Sequence, residues 1–182
     1  MAELACQGAF DAAVQSDPPF DAVIHTASPL NHNLSDVQKD VLDPAIIGTT
    51  GLLTSVARFA PTVKRVVILS SFAAMVNANK GNWPEKTYTA ADWNPIKPDE
   101  ALVDTLAGYR GSKTFAERAA WEFVEREKPR FSLTALNPPF VFGPVVPYPG
   151  LSLIELNSSN RWFVEFLSGI PSASMYFAWV YV

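Results

Sequence analysis

The chain has 182 residues, 48% of them hydrophobic and 18% charged, which predicts a folded globular protein with a well-buried core. A formal net charge of −4 provides no basic surface, so nucleic acid is not an expected partner. A single cysteine, Cys6, excludes an intrachain disulfide and fits a reducing, cytoplasmic location. We expect no signal peptide and no membrane partner, because the N-terminus lacks a basic region and no run approaches the roughly 20 apolar residues of a membrane span.

Apolar periodicity predicts helices and strands that alternate along the first part of the chain. Residues 3–16 have the rough apolar face of a helix end, and residues 21–26 have the short apolar run of a buried parallel strand. A helix is expected over 35–59, with a break or restart where Asp43 is a candidate N-cap and Pro44 a candidate first helical residue. Residues 66–69 predict a second buried strand.

The second part of the chain continues this alternation after a long irregular segment. Residues 72–104 predict a structured loop, because a loop of this length inside a compact domain is usually functional or disordered and its aromatic content argues against disorder. A helix over 105–128, a strand over 131–136 and a short helix around 160–168 follow, and an aromatic run at 175–182 predicts a final strand. Alternation of this kind predicts an α/β protein with a parallel sheet.

Polar clusters follow each of the three predicted strands, at positions 25–28, 70–71 and 137–138. In parallel sheets the carboxyl ends of the strands lie at one edge, where ligands bind. At the start of the 105–128 helix, Tyr109 and Lys113 are four residues apart and share a helix face. An ammonium group close to a phenol favours the phenolate, so such a pair could pass a proton to a carbonyl oxygen that is being reduced.

Five segments together resemble the extended short-chain dehydrogenase/reductase family of the NAD-dependent epimerase/dehydratase superfamily. The resemblance is strongest to plant dihydroflavonol reductases and to fungal NADPH-dependent aldehyde and ketone reductases. It covers nearly the whole chain, and the segments stand in the family's order. They are Asp21-Ala-Val-Ile-His-Thr-Ala-Ser-Pro29, Asp43-Pro-Ala-Ile-Ile-Gly-Thr49, Val63-Lys-Arg-Val-Val-Ile-Leu-Ser-Ser71, Tyr109-Arg-Gly-Ser-Lys113 and Asn137-Pro-Pro-Phe-Val-Phe-Gly-Pro144.

The resemblance implies a catalytic role for three residues. Tyr109 would donate a proton to the substrate carbonyl, Lys113 would favour this transfer and hold the nicotinamide ribose, and Ser71 would hydrogen-bond the carbonyl oxygen. The cofactor would be NADP(H), with NAD not excluded, and the substrate a small-molecule aldehyde or ketone. Two histidines and one cysteine are too few to predict a zinc site. The cofactor-binding residues that the resemblance implies are Ala27, Ser28, Tyr109, Lys113, Pro138 and Val141.

One departure from the family pattern is large. Family members begin with a strand, a Gly-x-x-Gly-x-x-Gly turn and a helix that receive the pyrophosphate, and none of the nine glycines here follows a strand in that pattern. We therefore expect an incomplete doubly wound, Rossmann-like sheet that lacks the family's first three strands. Residues 1–145 would be the C-terminal part of the dinucleotide-binding domain, and residues 146–182 the start of the substrate lobe. Such a truncated chain would leave strand 21–26 as an open edge and would bind NADPH weakly.

Two other functions remain open: a non-catalytic remnant that binds a partner through its exposed sheet edge, and a sugar-nucleotide epimerase or dehydratase. Several residues also have ordinary structural interpretations. Ser70 and Ser71 could cap a strand end, His25 fits a core or loop histidine, and His32 fits a loop residue. Four aromatic residues could line a substrate pocket or pack in the core: Trp83, Trp93, Phe140 and Phe142. Four glutamates are expected on a solvated helix face: Glu117, Glu122, Glu125 and Glu127.

Overall fold

The structure is a computed structural model that describes residues 5–6, 8–28, 36–81, 83–141, 143, 156 and 158–169. The chain divides into two compact units, Met1–Asn137 and Pro138–Val182. In chain order the strands and longer helices are β1 (Ala22–His25), a π-helical turn (Gln38–Leu42), α1 (Asp43–Phe59), β2 (Arg65–Leu69), α2 (Thr105–Glu127), β3 (Ser132–Leu136) and α3 (Ser158–Leu167). Three short 3-10 turns at Phe72–Ala74, Ala78–Lys80 and Glu100–Leu102 lie between β2 and α2.

The three strands form a parallel sheet in the order β1-β2-β3, as the alternating pattern predicts. At its carboxyl edge His25 is level with Ile68, and Leu69 with Leu136. The polar residues that follow β1, β2 and β3 therefore leave the sheet from one edge. The predicted α/β, Rossmann-like fold class is confirmed.

Helices α1 and α2 pack against one another and against one face of the sheet. The alternating inward residues Val66 and Ile68 meet Leu53 and Val56 of α1 and Phe123 of α2 in one core cluster. Burial of each such side chain contributes about 1.5–3 kcal/mol relative to its exposure. This packing fixes the distance of α2 from β2, and hence the place of every functional residue on that helix.

The opposite face of the sheet is open in the part of the chain that the structure describes. Ile24 of β1 is 71% exposed and Leu136 of β3 is 50% exposed. The expectation that residues 21–26 form a buried strand is wrong for this face of β1, because α1 and α2 both pack on the other face of the sheet. The position of β1 at a sheet edge agrees with the incomplete doubly wound sheet expected from the sequence.

The predicted helix over 3–16 is wrong where the structure describes it. Residues 8–14 form hydrogen-bonded turns, with Val14 buried in the core and Phe10 packed against it. Val14 and Phe10 thus contribute to the core although they do not lie in a helix. The predicted strand over 175–182 lies outside the described residues.

The expected interruption at Asp43 is a change of helical winding and not a break. The π-helical turn runs directly into α1, and Leu42 and Asp43 both have right-handed helical backbone angles. Asp43 is therefore not an N-cap, whereas Pro44 does lie in the first turn of α1.

The long irregular segment after β2 is held by one buried side chain, that of Asn94, which is 3% exposed. Its Nδ2 donates to the carbonyl of Ala73 at 2.8 Å, and its Oδ1 accepts from the N–H of Ile96 at 2.9 Å. Its backbone N–H also bonds the carbonyl of Ala74 at 2.8 Å. The segment is therefore anchored to the 3-10 turn that directly follows Ser71.

No helix of the described residues is long and apolar enough to cross a membrane.

Gly111 of α2 allows a close approach of the helix to the segment before it. A Cβ at this position would lie 2.5 Å from the Cβ of Ala101, a residue with no exposed surface. Gly108 stands in the same relation to Val37, at 2.5 Å. The two glycines that flank Tyr109 therefore serve helix packing.

We expect Gly111→Ala to lower the free energy of unfolding by about 1–3 kcal/mol, because the added methyl group overpacks this contact. The same change at Gly51 of α1, where a Cβ would lie 4.0 Å from its nearest neighbour, should raise stability by about 0.5–1 kcal/mol through helix propensity. Urea unfolding of both variants checks this, and effects of the same sign would contradict it.

His25, the last residue of β1, is buried, and the ring of Phe10 meets it edge-on at 5.6 Å, which confirms the interpretation as a core histidine. Burial lowers its pKa below 6.5, and the positive charge of Lys113 lowers it further. Between that lowered pKa and 6.5 the unfolded chain binds more protons than the folded chain. Acid should therefore reduce stability in this window.

We expect the wild-type chain to lose more free energy of unfolding than His25→Gln when the pH falls from about 7 to about 5.5, because glutamine does not titrate. Urea unfolding at the two pH values measures this difference. Equal losses in both proteins would show that the histidine does not remain neutral in the fold.

Candidate active site

Ser71 and Tyr109 meet, although they are 38 positions apart in the chain. Ser71 follows the carboxyl end of β2 and is buried, while Tyr109 lies in the second turn of α2. The phenol hydroxyl donates to Ser71 Oγ at 3.2 Å, longer than the roughly 2.7–2.8 Å that is usual between two hydroxyl groups. Because this contact is weak, an oxygen acceptor placed between the two groups can replace it.

The hydroxyl group of Ser71 has its acceptor positions occupied. It accepts from the backbone N–H of Ala73 at 3.1 Å, as the cap of the Phe72–Ala74 turn, and from Tyr109. A serine hydroxyl has two acceptor positions and one hydrogen to donate. The capping interpretation is thus correct for Ser71, and it leaves the hydroxyl hydrogen available to an incoming oxygen.

Lys113 lies one helical turn after Tyr109, and its Nζ is 6.0 Å from the centre of the Tyr109 ring. Burial lowers the pKa of this ammonium group below its usual range. None of the ion pairs among the described residues includes Lys113. The ammonium group of Lys113 therefore stands one turn from Tyr109 with no carboxylate salt bridge among the described residues.

Glu117, one further turn along α2, is the main correction to the predicted site. It is only 7% exposed, so its assignment to a solvated helix face is wrong, whereas Glu122, Glu125 and Glu127 are exposed as expected. Its Oε2 accepts from the hydroxyl of Ser70 and, at 2.7 Å, from Nδ2 of Asn137. The sequence held one signal of this position: Glu117 continues the four-residue spacing of Tyr109 and Lys113.

The carboxylate of Glu117 also receives a third, longer contact of 3.5 Å from Nε1 of Trp121. Asn137, the first residue after β3, uses the same amide nitrogen to donate to the carbonyl of Ser71 at 3.1 Å. Since a buried carboxylate is stable only when it is hydrogen-bonded, these donors explain how it is accommodated. The ends of β2 and β3 are thereby joined to α2.

A cavity of about 250 Å³ lies beside Glu117. Trp93 lines it, and the guanidinium of Arg118 lies 5.1 Å from the Trp93 ring. Ser71 and Tyr109 are not among its lining residues, so this cavity does not enclose the predicted catalytic hydroxyls. The residues that line the cavity are Met75, Ala90, Asp92, Trp93, Glu117, Trp121, Ala135 and Asn137.

The other aromatic residues that the sequence offered for a substrate pocket are Trp83, Phe140 and Phe142. Trp83 is 40% exposed, and the ammonium group of Lys80 lies over its ring. Phe140 belongs to the second unit, and Phe142 is outside the described residues.

The four predicted cofactor-binding residues other than Tyr109 and Lys113 fall into two groups. Ala27 and Ser28 follow β1 and are exposed at the carboxyl edge of the sheet. Pro138 and Val141 belong to the second unit, where Val141 is 58% exposed. Their assignment to a cofactor stays a prediction. Among the described residues, no group of three His, Cys, Asp or Glu side chains is placed to hold a metal ion.

Comparison with known proteins gives a consistent family. Residues 17–176 match the NAD-binding family described as male sterility protein. The ketoreductase azaE of Aspergillus niger is 48% identical over 159 residues, which cover 87% of this chain and 46% of the relative. The NADPH-dependent methylglyoxal reductase GRE2 of Saccharomyces cerevisiae is 44% identical over 125 residues, which cover 67% of this chain and 36% of the relative.

The solved structures agree with this result. The crystal structure of Gre2 from Candida albicans in complex with NADPH matches with a TM-score of 0.79 and 39% sequence identity, over 87% of this chain and 47% of that one. The chain spans about half, or less, of the length of these relatives. The resemblance inferred from the five sequence segments is confirmed, and the chain belongs to the NAD-binding family described as male sterility protein, within the NAD-dependent epimerase/dehydratase superfamily.

Proposed function

We propose that this chain provides the catalytic groups of an NADPH-dependent reductase that converts a small aldehyde or ketone to an alcohol. The observation that carries the proposal is the contact of the Tyr109 and Ser71 hydroxyls at 3.2 Å, with the ammonium of Lys113 one turn away. The names of the fungal relatives, a ketoreductase and a methylglyoxal reductase, support the same class of substrate.

Two hydroxyl hydrogens converge on the position of a carbonyl oxygen in this proposal. Ser71 donates its unused hydrogen to the oxygen and thereby orients the substrate. Tyr109 donates to the same oxygen and delivers its proton as negative charge develops there. NADPH, when bound, supplies the hydride that reaches the carbonyl carbon.

Lys113 has two roles in the proposal. Its positive charge favours the phenolate that remains after Tyr109 has given up its proton. Its ammonium group is also the donor proposed to hold the ribose hydroxyls of the nicotinamide nucleotide. The absence of a carboxylate salt bridge to Lys113 among the described residues fits both roles, since its hydrogen atoms stay available to a ligand.

The described residues fit the nicotinamide end of the cofactor better than its pyrophosphate. Gly48 and Gly51 lie inside α1, and Gly108 and Gly111 lie inside α2, so none of these four forms a turn between a strand and a helix N-terminus. Ala27 and Ser28, Pro138 and Val141 are the further proposed cofactor contacts. We therefore expect the 182-residue chain to bind NADPH weakly.

A second candidate is a non-catalytic protein that binds a partner through its sheet. The observations that favour it are the place of β1 at the edge of the described sheet and the exposure of Ile24 and Leu136. The sugar-nucleotide alternative has less support, because a GDP-L-fucose synthetase with 18% identity shows the fold alone. Catalysis by Tyr109 distinguishes the reductase from the non-catalytic candidate.

We expect Tyr109→Phe to lower kcat for NADPH-dependent carbonyl reduction by about 10²–10⁴-fold, because the proton donor is lost while the ring is kept. The rate of NADPH absorbance loss with a small aldehyde or ketone measures this. Tyr88→Phe is the matched control, since the Tyr88 hydroxyl accepts from the N–H of Asn77 and not from Ser71. Absence of turnover in the parent chain, or unchanged turnover in Tyr109→Phe, would contradict the proposal.

We also expect a fluorescence titration of the 182-residue chain with NADPH to show weak binding that Lys113→Met weakens further and Tyr109→Phe leaves nearly unchanged. The reason is that Lys113 is a proposed ribose donor, whereas the chain has no Gly-x-x-Gly-x-x-Gly turn for the pyrophosphate. Tight binding by the parent chain would refute the expectation of a missing pyrophosphate site.

A further inference from the structure

Glu117 stands apart from the other acidic residues of α2. It is buried, and its Oε2 is shared by two donors from different strand ends, the hydroxyl of Ser70 and the amide of Asn137. A stabilising role alone would need only some hydrogen-bond partner for the carboxylate. The partners observed here are instead the neighbour of Ser71 and the residue that donates to the Ser71 carbonyl.

We propose that Glu117 is a positioning residue that holds Ser71 opposite Tyr109, an inference that rests on the proposed reductase function. Tyr109 and Glu117 lie on the same helix, about 12 Å apart along its axis for eight residues at 1.5 Å each. The end of β2 contacts α2 at both points, through Ser71 and through Ser70. Two such contacts restrain both the distance and the orientation of the β2 end relative to the helix.

The path through Asn137 adds the third strand to this arrangement. Asn137 donates to Glu117 at 2.7 Å and to the Ser71 carbonyl at 3.1 Å, so the backbone of Ser71 is held from the β3 side as well. The Ser70 N–H bonds the Leu136 carbonyl at 2.9 Å, directly before Asn137. Loss of the carboxylate would remove the contacts of Ser70 and Asn137 with α2 and would leave only the weaker Ser71–Tyr109 contact between these polar residues and the helix.

Kinetics of Glu117→Gln test the catalytic part of the proposal. Glutamine keeps the size of the side chain but loses the charge and one of the two acceptor oxygens, so it cannot accept from Ser70, Asn137 and Trp121 together. We expect kcat to fall about 10- to 100-fold with KM changed by less than about twofold, since small displacements of catalytic groups reduce turnover strongly. Glu122→Gln, an exposed glutamate on the same helix, should change neither parameter.

A double-mutant cycle distinguishes positioning from general destabilisation. Ser70→Ala removes one of the two partners of Oε2 and should lower kcat less than Glu117→Gln does. The double variant should lose little more than Glu117→Gln alone, because both changes disrupt the same contact. Additive losses would contradict the proposal, and Ser70→Ala provides the kinetic test if Glu117→Gln does not fold.

Amide hydrogen exchange provides a readout that does not depend on activity. In Glu117→Gln, or in Ser70→Ala if that variant alone folds, the Ser70 amide should exchange faster while the amides of α1 keep their rates, since only the strand ends are released. Equal acceleration at both places, or none at Ser70, would overturn the inference. If the parent chain shows no turnover, the proposed function fails, and exchange at Ser70 still decides whether Glu117 holds the strand ends. Faster local exchange with unchanged kcat would also overturn the positioning role.

Discussion

The packing of α2 against the carboxyl end of β2 is the constraint on which the candidate site depends. Tyr109 and Lys113 come from the helix, Ser71 comes from the strand end, and their proximity follows from the core that holds helix and sheet together. Hydrophobic contacts fix this spacing because interiors are close-packed and tolerate little displacement. Gly111 contributes through a second buried contact of the helix, where it allows Ala101 to approach closely.

Polar contacts add a direction that hydrophobic packing cannot supply. Apolar burial is roughly proportional to area and has no preferred orientation, whereas hydrogen bonds have strict distances and angles. The carboxylate of Glu117 meets donors from two strand ends, and Ser71 both caps a turn and contacts Tyr109. The hydroxyl hydrogen of Ser71 is consequently directed by its two acceptor contacts.

The electrostatic environment of the site is also set by the fold. His25 and Lys113 both have lowered pKa values, chiefly through burial, and the positive charge of Lys113 contributes to the shift of His25. Burial and the lysine charge thus both disfavour the protonated form of His25 at the end of β1. This gives His25 a packing role, and the ammonium group of Lys113 lies 6.0 Å from the centre of the Tyr109 ring.

The sequence by itself determined the alternating α/β pattern, the three parallel strands, the long α2 helix and the motifs that indicate the family. These features are local, since periodicity and five ordered segments are visible without knowledge of contacts. It also brought Ser71, Tyr109 and Lys113 into one hypothesis through the resemblance. Their roles remain proposals, whereas the contact of Ser71 with Tyr109 is a structural observation.

Only the tertiary structure decided which polar residues of α2 are buried. Glu117 and Glu122 are the same residue type in the same helix. The carboxylate of Glu117 is nevertheless buried, because the ends of β2 and β3 reach that turn of the helix. The turns at 8–14 and the open sheet face were likewise beyond local prediction. Burial depends on which distant parts of the chain pack against a residue, and the spacing of residues in the sequence does not identify those contacts.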